Sequence, residues 1–371
     1  KNMSPDQENE YFSDGITEEI LNALSRIDGL HVTARTSSFA FKNQILDVRE
    51  IGQKLNVSLI LEGSIRKSGN MLRITAQLVK ASDGFHLWTE TWDRELKNIF
   101  ILQDEIAAII AEKINANLEP RRSGHRKVVE NLDALDYYLR GNYLLHTWDF
   151  REAQNMVASF EKAIEMDPGL IKAYISLCET LTWLGSTGVI QPAEAHQRVE
   201  QSISAVNELD PDLPEIHTII SGKYFWMEWD IERALNEIDK ALEMKPSYPD
   251  ALMYRGLFLA ASGRVEEALD NLFRAERLNP LSFQVNFTIG MIYNYMYECE
   301  KALEFVNRNI EIYPGWYAAY LTKVESLCRL KRFREAMDVI EMLEKDNSNP
   351  LSIIELKAFY HASKGEKAIA I

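Results

Sequence analysis

PDALMYRGLFLAASGRVEEALDNLFRAERLNP, residues 249–280, is one copy of a pattern that recurs from Glu215 to Pro350. Ala234, Ala268, Ala302 and Ala336 stand 34 residues apart, and Gly222, Gly256 and Gly290 keep the same interval. Pro211, Pro246, Pro280 and Pro314 follow it after a first interval of 35. Three kinds of marker in one phase define a repeat. A small residue in a first helix admits a second helix closely, Ala in that second helix serves the same crossing, and Pro closes the unit because it cannot continue a helix. Such a unit cannot bury its apolar face alone, so neighbours stack to make a continuous core.

A 34-residue helix–turn–helix repeat with these markers resembles the tetratricopeptide type. A first repeat starts near Ala134, with Gly141, Phe160, Ala163 and Pro168 in place and extra residues around Trp148. A second runs from Ala173 to Pro211, lengthened near Gly185 to Pro192, and four regular repeats follow. A seventh starts at Leu351, with Ala370 standing 34 residues after Ala336. About six and a half repeats are therefore expected over 132–371. The chain starts at Lys1 without Met and stops inside a repeat, and is expected to be a piece of a longer protein.

Upstream the periodicity is mixed. Ile16, Ile20, Leu21, Leu24 and Ile27 make a helical stripe over 13–27, and Ile51 and Leu55 another over 48–56. A short strand is expected over 30–34. Residues 57–67 read as a strand whose centre, Leu59-Ile60-Leu61, is expected to be buried on both faces. After the turn at Ser68-Gly69-Asn70, Leu72, Ile74, Ala76 and Leu78 alternate as a strand with one wet face. A third strand over 85–92 is expected to place His86, Trp88, Glu90 and Trp92 on one face, and a helix over 99–118 closes the region. The fold class is thus a small α/β (α+β) domain followed by an all-α tetratricopeptide-repeat superhelix. The domains expected are 1–118, a linker at 119–131 marked by the charge run Arg121 to Lys127, and the repeats.

Several segments of the first domain carry a second resemblance. Lys1-Asn2-Met3-Ser4-Pro5-Asp6, Tyr11-Phe12-Ser13-Asp14-Gly15-Ile16-Thr17-Glu18-Glu19-Ile20, Leu61-Glu62-Gly63-Ser64-Ile65-Arg66 and His86-Leu87-Trp88 to Trp92-Asp93-Arg94 look like the TolB amino-terminal-like domain. In that family a hydrophobic strand precedes the Lys-Asn segment, so a first strand of the sheet is expected to lie outside this chain. The resemblance implies a bacterial signalling protein whose effector is a class III adenylate cyclase, a winged-helix or a protein kinase domain. It brings no catalytic residues with it.

Composition narrows the functions. The net charge is −15. Residues 1–118 carry 13 Lys/Arg against 17 Asp/Glu, and residues 119–131 carry 4 against 2, so the acidity lies in the repeats. An acidic array repels phosphate backbones, and no nucleic-acid binding is expected. No run of 18 apolar residues exists, so no membrane-spanning helix is expected, and localisation depends on an upstream segment. Cys178, Cys299 and Cys328 lack ligand spacing and are expected as buried apolar side chains.

No catalytic constellation, cofactor motif or metal set emerges. Gly63 to Gly69 lacks the Lys-Ser/Thr of a phosphate loop, Asn70 following instead. Glu18-Glu19 and Glu266-Glu267 are expected as solvated helix faces. The histidines, His31, His86, His125, His146, His196, His217 and His361, show no partner at ligand spacing. Two candidate sites remain. The strand face His86, Trp88, Glu90 and Trp92 offers aromatic bodies and polar tips to a small ligand, or is covered by its own domain. The first helices of the repeats offer Ile219, Lys223, Trp226, Met253, Leu257, Phe287, Met291, Asn294, Leu321 and Glu325. That largely apolar groove disfavours a carboxylate clamp. It suits a protein or peptide partner such as an amphipathic helix, self-association, or internal packing. Of Trp148, Trp226, Trp229 and Trp316, those left exposed would be interface anchors.

Overall fold

The computed structural model describes residues 2–4, 10–24, 27, 30, 32–33, 35–42, 44, 46–69, 71–96, 99–114, 131–146, 150–345 and 350–366. The expectations that fall on His31, Ala34, Asn70, residues 115–130, Trp148 and Ala370 lie outside them. The chain divides into two compact units, Lys1–Ser247 and Tyr248–Ile371.

The first unit opens with helix α1 (Glu10–Leu24), a short α2 (Arg35–Phe39) and α3 (Val48–Leu55). Asp47 caps α3 by accepting from the Arg49 amide, and Asn56 ends it in the left-handed region with φ 52°. Leu30, Val32 and Thr33, the described part of the strand expected over 30–34, form none. A strand needs a neighbour for its backbone groups, and Leu30 and Val32 instead pack as partly buried side chains against the core.

Three antiparallel strands follow in the order β1 (Leu59–Ser68), β2 (Met71–Lys80), β3 (His86–Glu95). Gly69 turns the first hairpin with φ 56°, a conformation that costs glycine nothing. One face carries Ile65, Ile74 and Trp92 side by side in register, all buried. The other carries polar cross-strand pairs, Arg73–Asp93 at 2.7 Å, Thr75–Thr91 at 3.0 Å and Gln77–Glu62 at 2.8 Å. Leu59, Ile60 and Leu61 are half-buried rather than buried on both faces. The reason is that β1 lies at a sheet edge. Among the described residues only Asn2–Ser4 adds to its outer side, through a parallel bridge and a Met3 N–H bond to the Ile65 carbonyl of 2.8 Å. Helix α4 (Ile99–Ile114) packs on α1 and β3.

The repeats begin at α5 (Leu132–Leu145), capped by the Asn131 side chain, which accepts from the Asp133 and Ala134 amides. Its partner is α6 (Ala153–Met166), and the next pairs are α7 (Ile171–Ser186) with α8 (Pro192–Leu209) and α9 (Pro214–Trp226) with α10 (Ile231–Met244). Pro192 and Pro214 start their helices, where a missing N–H costs nothing. One apolar core runs from Phe12 of α1 to Ile219 of α9.

The second unit continues the pattern with α11 (Pro249–Ala261) and α12 (Val265–Leu278), α13 (Phe283–Tyr295) and α14 (Cys299–Ile312), and α15 (Tyr317–Arg329) and α16 (Phe333–Lys345), ending in α17 (Pro350–Ser363). In each pair the Ala marker, Ala268, Ala302 or Ala336, is fully buried at the crossing. The three cysteines are buried and free.

The glycine markers are not equivalent. A Cβ on Gly256 would stand 2.6 Å from Leu272 and 3.0 Å from the Ala268 carbonyl, and one on Gly290 would stand 2.7 Å from Val306. A Cβ on Gly222 would meet nothing within 4 Å. Gly256→Ala is therefore expected to cost about 1–3 kcal/mol by overpacking. Gly222→Ala is expected to stabilise by about 0.5–1 kcal/mol through helix propensity. Urea unfolding of the two variants, opposite in sign at one repeat position, checks this.

Candidate functional site

In the first unit Ile219 and Lys223 of the expected groove are buried, while Trp226 is 37% exposed. Phe225 stacks edge-on to Trp226 at 4.7 Å. In the second unit Met253 and Asn294 are buried and Leu257, Phe287, Met291, Leu321 and Glu325 are half-buried. Asn294 donates to Glu325 at 2.7 Å, accepts from Ser326 at 2.9 Å and takes a bond from Arg329, so the polar members of this face bind one another. Phe287 meets the edge of Trp316 at 5.9 Å, and Phe283 meets it at 5.4 Å, which makes Trp316 a packing residue.

The strand face is not as expected. Trp88, Glu90 and Trp92 share the inner face, with the two indoles 5.6 Å apart. His86 does not. Pairing runs Leu78 with Trp88 but Val79 with His86, so the irregularity at Leu87 takes His86 out of the alternation and leaves it exposed. Trp92 is buried in the core of its own region.

Two charged clusters escaped the sequence reading. Glu18 and Glu19 are not solvated. Glu19 is 3% exposed, bonded to Lys172 of α7 and facing the Tyr138 hydroxyl at 3.5 Å, whereas Glu18 lies 3.5 Å from His146 and 3.1 Å from Arg35. Helical period alone could not place them, because their cations arrive from distant helices. Burial pushes the Glu18 carboxyl up, but the charges of His146, Arg35 and Lys172 outweigh it and hold it below its usual value. Burial and the charges of Glu19 and Glu18 raise the Tyr138 phenol well above its usual value.

The second cluster joins α8 to the end of α9. The ligand atoms of His196, Glu200 and Glu228 lie within 4.8 Å of one another, an arrangement that could meet on a metal ion. The ammonium of Lys223 already lies against both carboxylates, bonded to Glu200 and 3.2 Å from Glu228, and supplies the charge a cation would bring. The spacing of His196 and Glu200, four residues apart on one helix, was the available sequence signal. Burial pushes Glu228 up, but hydrogen bonds from His196 and Lys223 and the charges of Lys223 and Arg233 hold it low. Lys223, lowered by burial, is raised on balance by the same carboxylates.

A third feature is periodic. Trp229, Gly263, Tyr297, Lys331 and Gly365 stand 34 residues apart at the turn inside successive repeats, and all have φ between 58° and 83°. Glycine takes this conformation freely, but bulky side chains do not. Trp229 is nevertheless 77% exposed and Tyr297 is 75% exposed. The Arg329 guanidinium lies 4.7 Å over the Tyr297 ring.

No family model matches the chain. Over 250 residues, 65% of this chain, it is 35% identical to "Putative adenylate cyclase 3" of Rhizobium meliloti. Over 250 residues, 64% of this chain, it is 23% identical to the transcriptional regulator HilA of Salmonella typhimurium. These alignments span 40% and 42% of the relatives' own lengths, so the chain spans about two-fifths of each. Among solved structures, the human IFIT1 dimer with PPP-AAAA superposes with a TM-score of 0.55 over 73% of this chain and 63% of that one, at 17% identity. That likeness shows the tetratricopeptide-repeat fold. No helix among the described residues is long and apolar enough to cross a membrane.

Lys223→Met should cost about 1–3 kcal/mol, because it removes the buried ammonium shared by Glu200 and Glu228 and leaves Glu228 with Arg233 and His196 alone. Glu228 sits below its ordinary 4.5 when folded, so its contribution is present above pH 4.5 and fades as pH falls through the lower folded value. The variant should therefore lose stability less steeply than wild type on the acid side. Urea unfolding from pH 3 to pH 7 reads both effects.

Proposed function

We propose that residues 1–371 are a non-catalytic sensing and protein-interaction region of a bacterial signalling protein, whose repeats hold a protein or peptide partner. One observation carries this. Trp229 is a large apolar side chain, 77% exposed, on a backbone that glycine would occupy without strain. Left-handed backbone costs a non-glycine residue about 1–2 kcal/mol, and tryptophan in water forgoes its burial energy. A side chain kept against both costs fits an anchor that a partner covers, and tryptophan and tyrosine dominate such anchors. Tyr297 repeats the pattern in the second unit, beside exposed Tyr295 and Met296. The half-buried first-helix faces, Leu257, Phe287, Met291 and Leu321, add apolar surface for the same partner or for self-association.

Residues 1–118 serve as a spacer or small-ligand sensor of the TolB amino-terminal-like kind, with the Trp88–Glu90–Trp92 face as the candidate pocket. In a second reading this region is the regulatory half of a nucleotide cyclase or a winged-helix transcription regulator. The similarity supports it in a specific way. Two relatives named for different activities align with this chain over the same length and over a similar two-fifths of their own, which fits a shared module carrying neither activity.

Two measurements test this. The purified chain incubated with ATP and Mg²⁺ or Mn²⁺ should form no cyclic AMP, and turnover above a heat-denatured control would sink the non-catalytic reading. Trp229→Gly should raise stability by about 0.5–1 kcal/mol, the relief of strain less the added chain entropy. In the intact protein in cells the same change should disturb signalling output. Unchanged stability with unchanged output would remove Trp229 as an anchor.

A further inference from the structure

Helix α1 has two faces. Phe12, Ile16, Ile20 and Ala23 make a buried apolar side, and α1 packs on α4 and β1 as well as on α5. The other side, Tyr11, Gly15, Glu18 and Glu19, meets the repeats through polar and small groups. The Tyr11 hydroxyl donates to Asp136 at 2.6 Å. Gly15 lies against Leu139 with no room for a Cβ. Glu18 faces His146 at the end of α5, and Glu19 bonds Lys172 at the start of α7.

Helices α5 and α7 are the first helices of their repeats, so α1 lies across the helix face that such arrays offer to partners. Residues 132–247 carry 9 Lys/Arg against 20 Asp/Glu, yet Arg140, Lys172 and His146 gather at this one face. The Arg140 guanidinium lies 5.3 Å over the Tyr11 ring. The seam is incompletely filled, with a hollow of about 480 Å³ between Tyr11, Phe12, Lys67, Leu132 and Asp136. An apolar core shared by α1 and α5 runs through the seam beside these ion pairs and the hollow, so the polar groups set the orientation of the contact while adding little net stability, and reversing their charges weakens it.

We infer that α1 is an intramolecular occupant of a helix-binding face on the first two repeats, and that this face accepts an outside helix presenting a small residue followed one turn later by two adjacent carboxylates. This rests on the reading of the repeats as a partner-binding array. The sheet region then acts as a plug. An acidic helix from a partner competes with α1 for Lys172 and His146, and binding of that helix undocks the sheet region from the repeats.

The probe is a fluorescein-labelled peptide of residues 10–24, read by anisotropy against the 371-residue chain and its variants. The wild-type chain should bind it weakly, because its own α1 fills the face. Glu19→Lys sets two ammonium groups against each other, frees the face and should bind the peptide at least about tenfold tighter, a change of about 1.4 kcal/mol. Lys172→Glu, at a partly exposed helix start where folding tolerates change, should instead bind a Glu19→Lys peptide and reject the wild-type one. The chain carrying both Glu19→Lys and Lys172→Glu should bind neither, its internal pair being restored with reversed signs. Equal binding by all four chains, or no gain in either single variant, overturns the inference. No outside partner enters this experiment, so its failure and failure of the partner-binding reading are separable.

Discussion

The close approach of two helices inside each repeat is the constraint on which the rest depends. Ala268 is fully buried against α11, and Gly256 leaves no space for a methyl group beside Leu272. Short interhelical distance lets small residues put backbone near backbone, and the large side chains then fill the spaces between successive pairs. The same geometry recurs at Gly141 against Phe160 and at Gly290 against Val306. Where the crossing loosens, as at Gly222, the marker persists in sequence without its steric reason. The repeat is thus a packing rule with local exceptions.

Polar groups decide what the packing rule leaves open. In the first unit the carboxylates of α1, the lysine of α7 and the histidine ending α5 set how the sheet region seats on the repeats. An apolar core runs through the same seam, and it supplies attraction without direction. Lys223 plays a comparable part between α8 and α9, where it satisfies two carboxylates that would otherwise repel. In the second unit the Asn294–Glu325–Arg329 group ties α13 to α15. The latter two networks use side chains, Lys223, Asn294 and Glu325, that the sequence offers as groove candidates. Outside these networks lie the half-buried apolar surface of the first helices and the exposed aromatics of the inner turns.

Those turns combine backbone strain with solvent exposure. Gly263 and Gly365 meet the left-handed requirement without strain, whereas Trp229, Tyr297 and Lys331 meet it against their preference. The two aromatics stand out because strain and exposure coincide in them. A turn chosen for stability would carry glycine or asparagine.

The sequence alone determined the repeat. Its period, helix pairs and Ala crossings follow from spacing, because helical packing at short range is set by residues a fixed distance apart. It also determined the hairpin-joined strands, since alternation and the Gly69 turn are local. Tertiary structure decided the rest. His86 left its face because of a one-residue irregularity that alternation cannot foresee. Leu59 to Leu61 are half-buried because the sheet ends there. Glu19 is buried and Glu18 half-buried because Lys172, His146 and Arg35 converge on them from three other elements. The left-handed turns lay within reach of the sequence, since 34-residue steps from Gly263 lead to Trp229 and Tyr297. Their exposure did not, because a side chain's surroundings depend on which helices the packed array brings beside it.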